Sequence, residues 1–248
     1  MMLTYLYDAT LEGLLCAIFV MYERREVPDE VVEATRVQFS FDQRLVSIKT
    51  RPEQADRVWA GIGRRMGSGA QLKIRGVFLA SDPEKATKLC RWILKGFRVG
   101  KRLYSDITSE VGAPVEALYR LVAREQNQMI QFARFAQKEN GVWFAKIKPI
   151  NSVVPLIMDH FAARFNIQPF IIYDERHHLA GIYDCRQWYL ADTGELVVLT
   201  DAPDEQRYQE LWRTFYDAIA IKARFNPSLR QNLLPKRFWG NMTEFQRS

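Results

Sequence analysis

The sequence predicts an α+β fold, predominantly helical with small antiparallel sheet elements. Three observations lead there: long stretches with apolar residues every three or four positions, short stretches that alternate apolar and polar, and glycine or proline punctuation between them. With 248 residues, 48% hydrophobic and 26% charged, the chain has the makings of a sizeable core and of an ordinary polar surface.

Taken in order, "LTYLYD" (3–8) reads as a strand rich in aromatic and β-branched residues. Asp8 or Thr10 then caps a helix that runs to about Arg24, where Pro28 interrupts. "RLVSIKT" (44–50) alternates as a second strand. Helices follow over 52–66 and 70–80, separated by "GSG" (67–69). "SDPEK" (81–85) places a capping residue, a first-turn proline and a glutamate at the start of a helix over 83–100. A second long helix spans 114–138, beyond a polar stretch with Gly112. "VWFAKIK" (142–148) is a strand and 153–165 a helix. "PFIIYDE" (169–175) and "LAGIYDCRQW" (179–188) make two strands joined at "RHH". "DEQRYQELWRTFYDAIAIKARF" (204–225) is an amphipathic helix, and the tail carries aromatics without a period. We place a domain boundary near residue 81. An N-terminal α+β region (1–80) precedes a core (81–248) with basic helices, a three-strand sheet and a C-terminal helix; a single domain is the alternative.

The composition excludes several classes. Cys16, Cys90 and Cys185 form no CxxC pair, which points to a reducing compartment and leaves no thiolate set for zinc or an iron–sulfur cluster. The apolar run "LLCAIFVMY" (14–22) is too short for a bilayer span and lacks a signal peptide's positive flank, so the expected location is cytoplasmic, without a membrane partner. No P-loop, GxGxxG in its proper context, GxSxG, HExxH or zinc-deaminase signature occurs, and no cofactor or metal is implied.

Charge is the informative feature. Residues 70–150 carry 15 Lys/Arg against 7 Asp/Glu, net +8, while each flanking region is net −1. General solubility does not require such concentration; a polyanionic partner does. Within "KATKLCRWILKGFRVGKRLY" (85–104), Lys88, Arg91, Lys95, Arg98 and Arg102 are spaced 3, 4, 3 and 4, along one side of a helix. On the next helix Arg120, Arg124, Asn127, Gln131, Arg134 and Lys138 repeat that spacing, again without a carboxylate in the row. Cations of this kind grip phosphates, and the amides reach sugars or base edges. Trp92, Tyr104 and Tyr119 offer stacking surfaces nearby. A solvated charged face is the bland alternative, an acidic protein partner another. "SDITSEVGAPVEALYRLVA" (105–123) has the outline of a helix-turn-helix, a weak signal by itself.

A catalytic alternative centres on "YDERHHLAGIYDC" (173–185). If the two strands pair, Asp174, Glu175 and Asp184 become the candidates for a metal-dependent nuclease or another DNA-modifying enzyme, with His177 and His178 beside them. A polar hairpin tip is the simpler account.

Several stretches together resemble a bacterial family described as DNA metabolism or repair proteins. They are "LTYLYDATLEGLLCAIF", "FARFAQKENGVWFAKIKP", "PLIMDHFAARF", "FIIYDERHHLAGIYD", "LWRTFYDAIAIKARFNP" and "LPKRFWGNMTEF". That family occurs beside a radical-SAM protein linked to uracil-DNA glycosylases, and its C-terminal part is also found fused to such glycosylases. The resemblance implies a role in DNA repair or base modification and either protein as a partner. It assigns no catalytic residue. "RHH" at 176–178 departs from the glycine-containing turn expected there, and Lys236 and Arg237 of "LPKRFW" join the candidates for backbone contact.

Overall fold

A computed structural model describes residues 1–36, 42–139, 141–193, 205 and 236–243. Contacts divide the chain into two compact units, Met1–Ala123 and Arg124–Ser248.

The first unit opens with β1 (Met2–Tyr7), whose Tyr5 and Tyr7 are fully buried. Thr10 caps α1 (Leu11–Arg24) by accepting from the Gly13 N–H at 2.9 Å. That helix is buried from Gly13 through Ile18 and again at Met21, and Arg25 closes it in the left-handed conformation. β2 (Glu30–Glu33) and β3 (Gln43–Ser47) flank β1 in the order β2-β1-β3, both parallel to it. Parallel pairing follows from the connection, because a helix rather than a tight turn joins β1 to β2. α2 (Pro52–Met66), α3 (Ser68–Phe78) and α4 (Lys85–Val99) complete the layer, and the 3₁₀ turn Gly100–Ser105 leads into α5 (Gly112–Phe132). Thr87 of α4 serves the exposed edge of β2: its hydroxyl accepts from the Val31 N–H and donates to the Val31 carbonyl.

The second unit takes up the end of α5, then β4 (Phe135–Gln137), β5 (Trp143–Ile147), α6 (Val154–Arg164), β6 (Phe170–Asp174), β7 (Leu179–Tyr183) and β8 (Trp188–Asp192). These strands form a five-stranded sheet in chain order. Only β5 and β6, which α6 connects, run parallel. Phe170 is fully buried and packs among Phe135, Phe161, Phe165 and Tyr183. Buried Glu125 of α5 fixes the approach to α6, accepting from the backbone N–H groups of Ile150 and Asn151. A short 3₁₀ segment, Lys236–Asn241, buries Phe238 against this unit.

The α+β class and its small sheets are as the sequence predicts. Antiparallel pairing, however, holds only for β4–β5, β6–β7 and β7–β8. The strand expected over 179–188 ends at Tyr183, a turn leads to β8 from Trp188, and β4 joins at the other edge, so the later sheet has five members rather than three. The helix expected over 114–138 ends at Phe132, where the chain turns to form β4. Apart from Glu205, the helix expected over 204–225 lies outside the described residues.

Candidate nucleic-acid interface

α4 forms because Leu89, Ile93 and their neighbours bury one stripe, with Ala86, Cys90, Trp92 and Gly96 beside them. The opposite stripe was expected to be open and positive. Its first three members are engaged. Lys88 Nζ lies 2.8 Å from Asp82 and 3.1 Å from Glu84. Burial pushes the Lys88 ammonium down, but these two carboxylates outweigh it and hold it above its ordinary range. Arg91 donates to the Asp29 carbonyl at 3.0 Å. Lys95 pairs with Asp106 and reaches the Ser109 hydroxyl. Lys95 and then Ser109, by hydrogen bonding, hold the Asp106 carboxyl below its usual range. In the first half of the acid-free row, Lys88 and Lys95 are therefore neutralised by carboxylates that flank the helix, while Arg91 is held by a backbone carbonyl and keeps its charge.

At the other end of α4 the outcome differs. Arg98, Lys101 and Arg102 are exposed, and so are Arg64 and Arg65 from the last turn of α2. Arg65 ties the two helix ends together, with Nε 3.2 Å from the Phe97 carbonyl and a terminal nitrogen 3.2 Å from that of Arg98. Close approach depends on Gly96: a β-carbon there would lie 2.1 Å from Met66 Sδ. Gly100, at φ +63°, then turns the chain away. Arg64, Arg98 and Lys101 pair with no carboxylate among the described residues. One or two cations per helix end are expected from the macrodipole; five at two joined ends exceed that need. Arg64 and Arg65, at the end of the helix read over 52–66, were missed because they precede the stretch 70–150 in which the charge excess was sought. The signal that could have found them is the absence of any acid between Asp56 and Asp82.

The aromatic residues divide. Trp92 is buried, and Lys73 lies 5.3–6.0 Å from the ring centroids of Trp92, Tyr104 and Tyr119, with Glu116 2.7 Å away. Lys73, and after it Arg120, hold Glu116 below the usual carboxylate range by hydrogen bonding. Of the three rings Tyr104 is the most open, at 39% exposure.

On α5, Arg120, Arg124, Asn127 and Gln131 are exposed, and Arg120 pairs with Glu116 one turn earlier. Arg134 and Lys138 leave the row because the helix has already ended. The Arg134 guanidinium folds back on the carbonyls of Gln131 and Ala133, and Lys138 lies over the Phe144 ring at 5.2 Å. Helix propensity favoured continuation through "ARFAQK"; burial of Phe135 among Phe161, Phe165 and Phe170 overrides it.

The nuclease candidates do not converge. Asp174 pairs in register with Leu179, whereas Asp184 follows Tyr183, which pairs with Phe170 at the other end of the hairpin. About five strand positions, roughly 17 Å, separate them. Each carboxylate closes its own turn. Asp174 is fully buried and accepts from the N–H groups of Arg176 and His177, with His177 Nδ1 2.6 Å from its other oxygen. Asp184 accepts from the N–H groups of Arg186 and Gln187, which hold its carboxyl below the usual range. Glu175 is held low by Lys146 and Lys148. His178 sits at φ +53°, the left-handed position where a glycine would be at ease. Among the described residues no three His, Cys, Asp or Glu side chains form a metal-sized group. Lys236 is exposed, and the Arg237 side chain lies outside the described residues.

The second unit also holds a cavity of about 690 Å³, walled by Phe135, Trp143, Phe161 and Phe165 and edged by Gln131, Gln137 and Arg164.

Fold and surface together define an α+β protein with joined, cationic helix ends. The chain belongs to the family described as a domain of unknown function, DUF4130, whose profile matches residues 83–244, from the start of α4 to the tail. No curated protein and no solved structure matches the chain. Among the described residues no helix is long and apolar enough to cross a membrane.

Proposed function

We propose that this chain is a DNA-binding accessory protein of DNA repair or base modification, gripping the phosphate backbone through cationic helix surfaces. One observation carries the reading: Arg64, Arg65, Arg98, Lys101 and Arg102 gather, exposed, where α2 and α4 end. Arg64, Arg98 and Lys101 meet no carboxylate among the described residues, so their like charges repel, whereas a string of phosphates relieves that repulsion and releases counterions. Arg124, Asn127 and Gln131 on α5 form a second row of donors. The partners follow from the resemblance to proteins found beside a radical-SAM protein and a uracil-DNA glycosylase.

Fluorescence anisotropy with labelled single- and double-stranded DNA across a salt series tests this. Four phosphates neutralised give a log K against log salt slope of about −3 to −4. Binding insensitive to salt, or none at low ionic strength, refutes the reading. Capture of an acidic protein in place of DNA would redirect the same surface to an adaptor role.

A further inference from the structure

We propose that the cavity of the second unit takes one unstacked nucleobase, with the phosphate of the same nucleotide held by Arg164. The inference rests on reading the chain as a nucleic-acid-binding protein; of the donors assigned to the phosphate backbone only Gln131 recurs, beside aromatic walls, Gln137 and Arg164 that have no part there. At about 690 Å³ the cavity is in the range that encloses small ligands. Its aromatic wall residues stack on one another, so a base would lie against the ring faces they leave open rather than between them. Trp143 and Phe165 lie at 29° with centroids 6.3 Å apart, and Phe161 and Phe165 at 26° and 6.3 Å. Trp143 and Phe165 are half-buried, so each ring is supported by the protein while part of it faces the cavity.

The polar groups select among planar ligands. The side-chain amides of Gln131 and Gln137 make no hydrogen bond among the described residues, and an amide offers donor and acceptor together, as the edge of a base requires. Glu205 shares the wall, its carboxylate accepting from the Gln137 backbone N–H at 2.9 Å. Arg164, at the last turn of α6, is exposed at the rim and pairs with no carboxylate among the described residues. An aliphatic ligand would make no use of the amides, and a bare polyanion would make none of the rings. A base with an attached phosphate satisfies both. Stacking on aromatic side chains is tolerant of base identity, so recognition of unstacked nucleotides in general is expected rather than of one base.

Calorimetric titration of the full chain with AMP and CMP, and with adenosine and ribose 5-phosphate as partial ligands, tests this. The nucleotides should bind, and ribose 5-phosphate at least about tenfold more weakly. Phe165→Leu should weaken nucleotide and nucleoside alike by about tenfold. Arg164→Glu, an exposed change that leaves packing intact, should weaken the nucleotides by about tenfold while adenosine binding stays unchanged. Three results overturn the inference: no nucleotide binding at millimolar concentration, ribose 5-phosphate binding as tightly as AMP, or affinities that neither substitution moves. The DNA salt series run on the same preparations separates the two readings. Salt-dependent DNA binding without nucleotide binding removes the cavity assignment alone, and loss of both removes the broader function.

Discussion

The two ends of α4 carry the same kinds of residue at the same spacing and meet opposite fates. Near its start, Lys88, Arg91 and Lys95 are held by Asp82, Glu84, the Asp29 carbonyl and Asp106. Near its end, Arg98 and Lys101 face solvent beside Arg64 and Arg65. The helix itself does not distinguish them. Whether a neighbouring element delivers a carboxylate does: Lys88 and Lys95 meet one, while Arg98 and Lys101 meet none among the described residues.

The contrast can be broken most directly by charge reversal. Arg64→Glu, Arg98→Glu and Lys101→Glu together should lower DNA affinity at low salt by at least about a hundredfold and flatten the salt slope, with little change in thermal stability. Next comes the joint between the helix ends. Gly96→Val drives a side chain into Met66 and Leu103, so stability should fall by about 1–3 kcal/mol in denaturant titration, and DNA binding should weaken as the two cationic turns separate.

Acid should reveal the engaged half. The carboxyls of Asp106 and Glu116 lie below their unfolded values when folded, so their contribution is present above about pH 4 and is lost as pH falls through the lowered folded values. Asp106→Asn should therefore shallow the loss of stability with acid and tighten DNA binding, because Lys95 is released from its carboxylate. Smallest of all, Lys88→Gln should change DNA affinity less than about twofold and stability by no more than about 1 kcal/mol. A large loss of affinity on that change would show that the engaged cations take part after all.

Much of this architecture was legible from local chemistry. Thr10 announced α1, "SDPEK" placed the start of α4 to within two residues although Glu84 rather than Ser81 or Asp82 precedes its first turn, alternation located β3 and β5, and aromatic and β-branched content located β1. What was missed shares a cause. β2 and β4 are only four and three residues long, and each exists because a partner strand is adjacent. The hairpin register that keeps Asp174 from Asp184 depends on which strand residues pair across it. The cavity is assembled from α5, β4, β5 and α6, whose residues show no joint pattern along the chain.

The regional excess of positive charge, the amphipathic helices and the α+β class belong to the sequence by itself, since each depends on composition or on spacing within one element. Which cations stay exposed, how the strands pair and where the aromatic walls enclose a space were decided only in three dimensions. Ion pairing and stacking act over a few ångströms, and distance along the chain does not report them.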